Sequence, residues 1–138
     1  VQVGTRDLGE DEWTYIKESN NKVITYFDQE IKERKYNGET WKLISDEIIE
    51  KLPQKVHISF DIDGLDPKLC PNTGTPVPGG FDLEEVVYLF KKVLESGRQI
   101  ISFDLVEVGT GENDWDANVG ARALYKLCNL LAASNPVA

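Results

Sequence analysis

A buried strand that runs into a long, stiff loop is the feature that most constrains this 138-residue chain. Residues 56–80 read V-H-I-S-F-D-I-D-G-L-D-P-K-L-C-P-N-T-G-T-P-V-P-G-G, an apolar β-branched run followed by acids, Gly, Pro and Thr. Because strand side chains alternate, Asp61 and Asp63 are predicted to share one face at the strand's carboxyl end, roughly 6.5–7 Å apart along the backbone. Two carboxylates that close repel each other unless a cation or proton lies between them. The pattern therefore favours a divalent metal.

Three other interpretations of the two aspartates compete with a metal site. Asp-Gly and Asp-Pro pairs are common in turns, so the acids could simply cap a loop. A calcium-binding loop has Gly at its sixth position and Glu at its twelfth, where this chain has Asp66 and Asn72. F-D-I-D-G also resembles the opening of the haloacid-dehalogenase phosphatases, in which Asp61 would be a nucleophile, but Leu65 stands where that family has Thr or Val.

The loop after the aspartates favours one family. S-F-D-I-D-G-L-D-P followed by P-N-T-G-T-P-V-P-G-G, within residues 59–80, resembles the signature of the ureohydrolases (arginase, agmatinase and formimidoylglutamase). The resemblance implies that Asp61 and Asp63 are ligands of a pair of Mn(II) ions, two per subunit of the intact protein. It also implies that Thr75 lines the substrate pocket, although a tight Gly-Thr-Pro turn would explain the same residue.

Two acids, Asp104 and Glu107, interrupt the last apolar run of the sequence. Glu107 is predicted at the carboxyl end of its strand, at the same sheet edge as Asp61 and Asp63. The resemblance implies that Glu107 holds the cationic nitrogen group of the substrate, although E-V-G-T stands here where arginases have E-V-N-P. A loop cap or a salt bridge to Arg122 is the alternative.

Two further polar residues are predicted to be structural. Asp104 should face the other side of its strand from Glu107 and should have a partner, because burying an unpaired charge is costly. His57 is the only histidine, and it lies about 13 Å from Asp61 along an extended strand, too far to share a metal. We therefore predict that His57 is a core residue.

Strands and helices are predicted to alternate along the chain, which favours parallel β/α layers. The predicted strands are 1–6, 23–27, the run that begins at 56, and 100–108. The predicted helices are 10–19, 41–52 capped by Thr40, 83–96 capped by Asp82 with Glu85, and 117–133 capped by Asp116, with a brief helix or loop at 29–35. The resemblance implies an α/β fold of the arginase type, three α-β-α layers with a parallel sheet, whose N-terminal part is missing.

Composition limits the partners and the setting of the chain. A formal net charge of −9 disfavours nucleic acid and anionic membranes, because both need a basic face. Two cysteines are too few for a disulfide framework and favour free thiols in a reducing compartment, so we expect a cytoplasmic protein. The chain has no Met and lacks the upstream motifs G-G-D-H and D-A-H-x-D that supply the family's other metal ligands. Residues 1–138 are therefore predicted to be the C-terminal portion of one catalytic domain, inactive alone.

The implied function is hydrolysis of a non-peptide C–N bond in a linear amidine or guanidine. Residues 107–122, E-V-G-T-G-E-N-D-W-D-A-N-V-G-A-R, resemble bacterial formimidoylglutamases, which makes formiminoglutamate the predicted substrate. Arginase and agmatinase or guanidinobutyrase activities are the alternatives within the family. A catalytically degenerate assembly subunit and a D-x-D-G phosphatase are alternatives from other classes. The intact protein is expected to be a homo-oligomer that binds a small cationic substrate.

Overall fold

The computed structural model describes residues 1–111 and 113–136, and the chain divides into two compact units, Val1–Lys51 and Leu52–Ala138. In the first unit, strands β1 (Gln2–Thr5) and β2 (Thr25–Phe27) pair in parallel and are connected through helix α1 (Glu10–Glu18). Helices α2 (Asp28–Tyr36) and α3 (Trp41–Glu50) follow, and α2 packs on both strands. Residues 29–35, predicted as a brief helix or a loop, are thus helical. Thr40 caps α3 as predicted, with its hydroxyl oxygen 3.3 Å from the N–H of Leu43.

A polar network around Glu47 joins three elements of the first unit. The Tyr26 hydroxyl on β2 donates a hydrogen bond to Glu47 on α3 over 3.1 Å, and Arg34 on α2 donates to the other carboxylate oxygen over 2.6 Å. Arg34 also donates to both oxygens of Glu39. Burial of the phenol, and then the nearby Glu47 carboxylate, raise the pKa of Tyr26 from 10.0 to about 12.

This raised pKa predicts a loss of stability in alkali. The folded state favours the neutral phenol, so the contribution of Tyr26 to the free energy of unfolding is fully present below pH 10 and is lost as pH rises from 10 to about 12. Tyr26→Phe should cost about 0.5–1.5 kcal/mol at neutral pH, through the lost hydrogen bond, and should flatten the alkaline limb. Denaturant unfolding of both proteins across this pH range measures the difference. Parallel alkaline limbs would show that Tyr26 does not cause the loss.

The second unit contains strand β3 (Lys55–Asp61), helix α4 (Leu83–Glu95), strand β4 (Gln99–Val106) and helix α5 (Trp115–Ser134). Strands β3 and β4 pair in parallel, as predicted, in a register that sets Val56 opposite Ile100 and Asp61 opposite Val106. Helices α4 and α5 pack on β4 and on each other. The predicted capping box of α4 is confirmed, because Glu85 accepts the N–H of Asp82 over 3.1 Å.

The core of the second unit lies on one face of these strands. Val56, Ile58 and Phe60 are buried there, whereas Lys55, His57 and Ser59 are exposed. Phe60 meets Phe90 of α4 edge to face, with ring centroids 5.7 Å apart. The core includes further apolar residues of α4, β4 and α5: Val86, Val87, Leu89, Val93, Ile100, Val119, Ala123, Leu127 and Leu130. The opposite face of β4 is partly open, since Ile101 is 49% exposed.

The loop after β3 is closed at its base by backbone hydrogen bonds. The N–H of Asp66 donates to the carbonyl of Phe81 over 2.9 Å, and the N–H of Phe81 donates to the carbonyl of Gly64 over 3.1 Å. Gly80 is required at this closure, because it has a φ of +82° and any Cβ would lie 2.5 Å from the Leu65 carbonyl oxygen. The Gly, Pro and Thr-rich stretch therefore forms a closed loop with a fixed path.

In the part of the chain that the structure describes, no helix combines the length and the apolar character that crossing a membrane requires.

Candidate metal and substrate site

Asp61 is the last residue of β3 and is half-buried. One of its carboxylate oxygens accepts the N–H of Asp63 over 3.0 Å, so Asp61 caps the 3₁₀ turn Ile62–Gly64 that follows the strand. Ile62 is fully buried and anchors this turn. The capping interpretation is therefore correct as far as it goes, but an ionised carboxylate has about four acceptor sites and this cap uses only one.

Asp63 lies in a turn and not in the strand, contrary to the prediction from strand alternation. β3 ends at Asp61, and Asp63 lies within the 3₁₀ turn, so strand alternation does not set the direction of its side chain. The two aspartates are instead linked through the hydrogen bond between the Asp63 amide and the Asp61 carboxylate. A turn, and not a shared strand face, therefore brings the Asp63 backbone beside the Asp61 carboxylate, and the shared direction of the two carboxylates stays a prediction.

Glu107 is the first residue after β4 and lies at the same sheet edge as Asp61. The parallel register sets Asp61 opposite Val106, so Glu107 follows one residue beyond that pair. Glu107 is exposed and has a φ of +61°, a left-handed conformation that is uncommon for a residue with a side chain. Such backbone strain costs about 1–3 kcal/mol and occurs often at functional sites.

The T-G-T-P segment of the loop contacts Glu107 directly. Thr73 is buried and its hydroxyl donates to the Glu107 carbonyl over 2.9 Å. Gly74 gives space to the Glu107 carboxylate, because a Cβ there would lie 2.7 Å from Oε2. Thr75, predicted to line the pocket, is exposed and follows Gly74 in the chain. The structure thus brings this segment and Glu107 together at the end of the sheet.

The loop is also attached to the first residues of both helices of the unit. The Lys68 ammonium lies 3.0 Å from the carboxylate of Asp82 and 3.4 Å from that of Asp66, and the hydrogen bond to Asp82 raises the pKa of Lys68. The Lys68 carbonyl accepts the indole N–H of Trp115 on α5 over 3.0 Å. These contacts hold the loop against the start of α4 and of α5.

His57 and Asp104 lie away from the aspartates, on the exposed face of the strands. The prediction of a core histidine is wrong: the His57 side chain is 48% exposed, and its ring contacts Ser102 at 2.8 Å and Asp104 at 3.2 Å. Ser59 donates to the other oxygen of Asp104 over 2.7 Å. Asp104 therefore has the predicted partners although its side chain is 46% exposed, and this cluster takes no part in the candidate site.

Asn72 and Asp116 are the residues that sequence reasoning missed. Asp116 was predicted to cap α5, but it lies within the first turn of the helix, is 1% exposed, and accepts two hydrogen bonds from Asn72. The available signal was the glycine spacing in the segment G-T-G, residues 109–111. A Cβ on Gly109 or Gly111 would collide with Asn72.

The chemistry of Asp61 and Asp63 fits a manganese site in part. Carboxylate oxygens are hard donors that suit Mn(II), and Asp61 and Asp63 are two carboxylate residues within one turn at the end of β3. Among residues 1–111 and 113–136, no three His, Cys, Asp or Glu side chains are grouped closely enough to hold a metal ion. Asp61 and Asp63 would therefore supply only part of a ligand set.

Comparison with known proteins identifies the family. The sequence profile of the arginase family matches residues 1–130. This chain belongs to the arginase family. The ureohydrolase resemblance and the α/β fold class are thereby confirmed, and the phosphatase interpretation has no support.

Relatives and solved structures of the arginase family agree with this assignment. The chain is 38% identical over 108 residues to "Arginase-2, mitochondrial" of Mus musculus, covering 78% of this chain and 29% of that protein. It is 36% identical over 85 residues to the N(1)-aminopropylagmatine ureohydrolase of Thermus thermophilus, covering 62% of this chain and 29% of that enzyme. The arginase structure from Bacillus caldovelox superimposes with a TM-score of 0.73 at 30% identity, over 91% of this chain and 41% of that one. The chain thus spans less than half the length of these proteins.

Proposed function

We propose that this chain forms part of the catalytic domain of a metal-dependent hydrolase that cleaves a C–N bond in a cationic amidine or guanidine. The observation that carries the proposal is the parallel register of β3 and β4, which sets Asp61 opposite Val106. Glu107 therefore lies at the same edge of the sheet as Asp61, the last residue of β3. In open α/β sheets, the carboxyl ends of the strands are where ligands bind. The proposed activity is that of the complete enzyme, of which these residues supply one part.

Each residue of the site has a separate role in the proposed reaction. Asp61 and Asp63 would hold Mn(II), which when bound supplies activation of the water nucleophile. Glu107 would accept hydrogen bonds from the cationic nitrogen group of the substrate, a charge-assisted contact that contributes about 1.5–3 kcal/mol. Thr75, next to Gly74, would line the same pocket. By fixing the cationic group, Glu107 places the reacting carbon near the nucleophile.

Charge supports a cationic substrate. The chain has a formal net charge of −9, and an acidic protein attracts small cations to its binding site. The relatives named above include an arginase and an aminopropylagmatine ureohydrolase, and both names specify compounds with a basic nitrogen group. These names support the substrate class.

For the individual substrate, we propose formiminoglutamate, with arginine and agmatine as the alternatives. The support is the segment after β4, in which E-V-G-T departs from the E-V-N-P of arginases at the residues that follow Glu107. Because the cationic group is common to all three compounds, Glu107 cannot distinguish them. A preference could instead arise from the residues after Glu107 that differ from the arginase motif.

A side-by-side assay of the complete enzyme with Mn(II) tests both levels of this proposal. We expect formamide release from formiminoglutamate at a higher kcat/KM than urea release from arginine, agmatine or 4-guanidinobutyrate. Faster urea release from one of the guanidines would contradict formiminoglutamate as the preferred substrate but would still support a hydrolase of amidines or guanidines. No turnover of any of the four compounds would contradict the class, and a complete protein that also failed to retain Mn(II) through purification would favour a catalytically degenerate subunit.

A further inference from the structure

Asp116 is a buried acid, and each of its two carboxylate oxygens accepts a hydrogen bond from the same residue of a distant loop. It lies in the first turn of α5, is 1% exposed, and accepts the backbone N–H of Asn72 over 2.9 Å and its side-chain amide over 2.8 Å. Burying a charge is costly unless hydrogen bonds satisfy it, so this paired contact offsets a large desolvation penalty. Asp114, the N-cap residue of α5, makes no side-chain cap hydrogen bond. The Asp116 carboxylate binds the loop residue Asn72 and does not cap the helix.

Asn72 is enclosed on its other side by the segment that begins at Glu107. A Cβ at Gly109 would collide with the backbone carbonyl of Asn72, and a Cβ at Gly111 would collide with its side-chain amide. Glycine at both positions lets the segment 107–111 pass directly against Asn72. Asn72 is thus held between this segment and Asp116.

The next two loop residues, Thr73 and Gly74, contact Glu107. Thr73 is 5% exposed and donates to the Glu107 carbonyl over 2.9 Å, which supports the left-handed conformation at Glu107. Gly74 leaves space for the Glu107 carboxylate, whose Oε2 lies 2.7 Å from where a Cβ would be. Three consecutive loop residues therefore contact the segment 107–111, and the first of them is fixed by Asp116.

We propose that Asp116 is a positioning residue for the substrate-binding carboxylate of Glu107. By fixing Asn72, it holds Thr73 and Gly74 in the place that sets the backbone and side-chain direction of Glu107. This inference rests on the proposed function, in which Glu107 binds the cationic group of the substrate. Asp116 itself touches neither substrate nor metal in this proposal.

Asp116→Asn in the complete, Mn-loaded enzyme is the first test. The new amide can accept the Asn72 N–H, but its NH₂ group then faces the NH₂ group of Asn72, so one of the two hydrogen bonds is lost. We expect kcat/KM to fall by about tenfold, with metal content unchanged. The change should appear in the same parameter, KM or kcat, that changes in Glu107→Gln.

A reciprocal exchange provides the rescue. Asn72→Asp alone sets two carboxylates against each other and should lose more activity than Asp116→Asn. Asn72→Asp combined with Asp116→Asn restores both contacts, because the new amide accepts the residue 72 N–H and donates to the new carboxylate. We expect the double variant to return to within about threefold of the wild-type kcat/KM.

Coupling to Glu107 separates positioning from general stability. In a Glu107→Gln background, Asp116→Asn should lower kcat/KM by less than about twofold, because the carboxylate that it positions is already gone. Asp114→Asn is the matched control: it is the same substitution two residues earlier, at an exposed N-cap residue whose side chain makes no capping hydrogen bond, and it should leave kcat/KM unchanged. If Asp116→Asn does not fold, Thr73→Val should lower kcat/KM and Thr73→Ser should retain most of it.

The outcomes distinguish this inference from the proposed function. A full effect of Asp116→Asn in the Glu107→Gln background would overturn the inference alone, as would a lower Tm with undiminished kcat/KM. Equal kcat/KM for Thr73→Val and Thr73→Ser would also overturn it. Undiminished kcat/KM in Glu107→Gln itself would overturn the role of Glu107 and, with it, the role of Asp116.

Discussion

Replacing Asp61 or Asp63 with alanine in the complete, Mn-loaded enzyme is expected to remove at least one metal ion per subunit and to abolish turnover. Asp61 ends β3 and Asp63 lies in the turn that follows it, where the Asp61 carboxylate accepts the backbone N–H of Asp63. A hydrolase that depends on metal to activate water should lose on the order of a thousandfold in kcat without it. Elemental analysis and a turnover assay measure the two effects.

Asp61→Asn sharpens this prediction, because it separates the metal-ligand interpretation from the turn-cap interpretation. The asparagine oxygen can still accept the Asp63 N–H, so Tm should change little, whereas the lost charge should weaken metal binding. Asp61→Ala loses both functions and should cost about 1 kcal/mol of stability as well.

Asp66→Asn is the matched control for Asp61→Asn. Asp66 caps the N–H of Lys68 over 3.0 Å, two residues ahead, in the same way that Asp61 caps Asp63. This variant should keep both its metal and its activity. Two Mn(II) per subunit in Asp61→Ala and in Asp63→Ala would show that the ligand assignment is wrong.

Local sequence signals predicted most of the second unit's scaffold. The apolar run before Asp61 gave a strand, Asp82 and Glu85 gave the start of α4, and the alternation of strands with helices gave parallel pairing. Parallel pairing alone brings the carboxyl ends of strands to one edge, so the common location of Asp61 and Glu107 could be predicted without contacts. These features depend on backbone hydrogen bonds and capping within a few residues, which a sequence displays directly.

The details of the site depended on contacts that no local pattern displays. The direction of the Asp63 side chain was predicted from strand alternation, but the strand ends at Asp61 and a 3₁₀ turn with a buried Ile62 follows. Asp116 was predicted as a cap from its place before an apolar run, but its partner Asn72 lies 44 residues away. His57 was predicted as a core residue because it lies too far from Asp61 to share a metal, but its strand presents it on the exposed face beside Ser102. In each case a tertiary contact outweighed a local preference.

Glu107→Gln in the complete enzyme is expected to lower kcat/KM by roughly ten- to a hundred-and-fifty-fold while metal content stays the same. The glutamine keeps the shape of the side chain beside Gly74 and removes the charge that would pair with the substrate's cationic group. The fold-change corresponds to a charge-assisted hydrogen bond of about 1.5–3 kcal/mol, and it grows if the contact tightens in the transition state.

The strained backbone of Glu107 allows a second variant to test the same role. Its φ of +61° is strained for any residue with a Cβ and relaxed for glycine, so Glu107→Gly should lose as much activity as Glu107→Gln or more while stability is maintained or rises. Glu95→Gln, at an exposed glutamate at the end of α4, controls for the loss of one negative charge and should not change kcat/KM. A residue that only shapes the loop would show the opposite pattern, with Tm falling in Glu107→Gln and kcat/KM staying at the wild-type value. That result would move the substrate-orienting role away from Glu107 and leave its strained conformation without a catalytic reason.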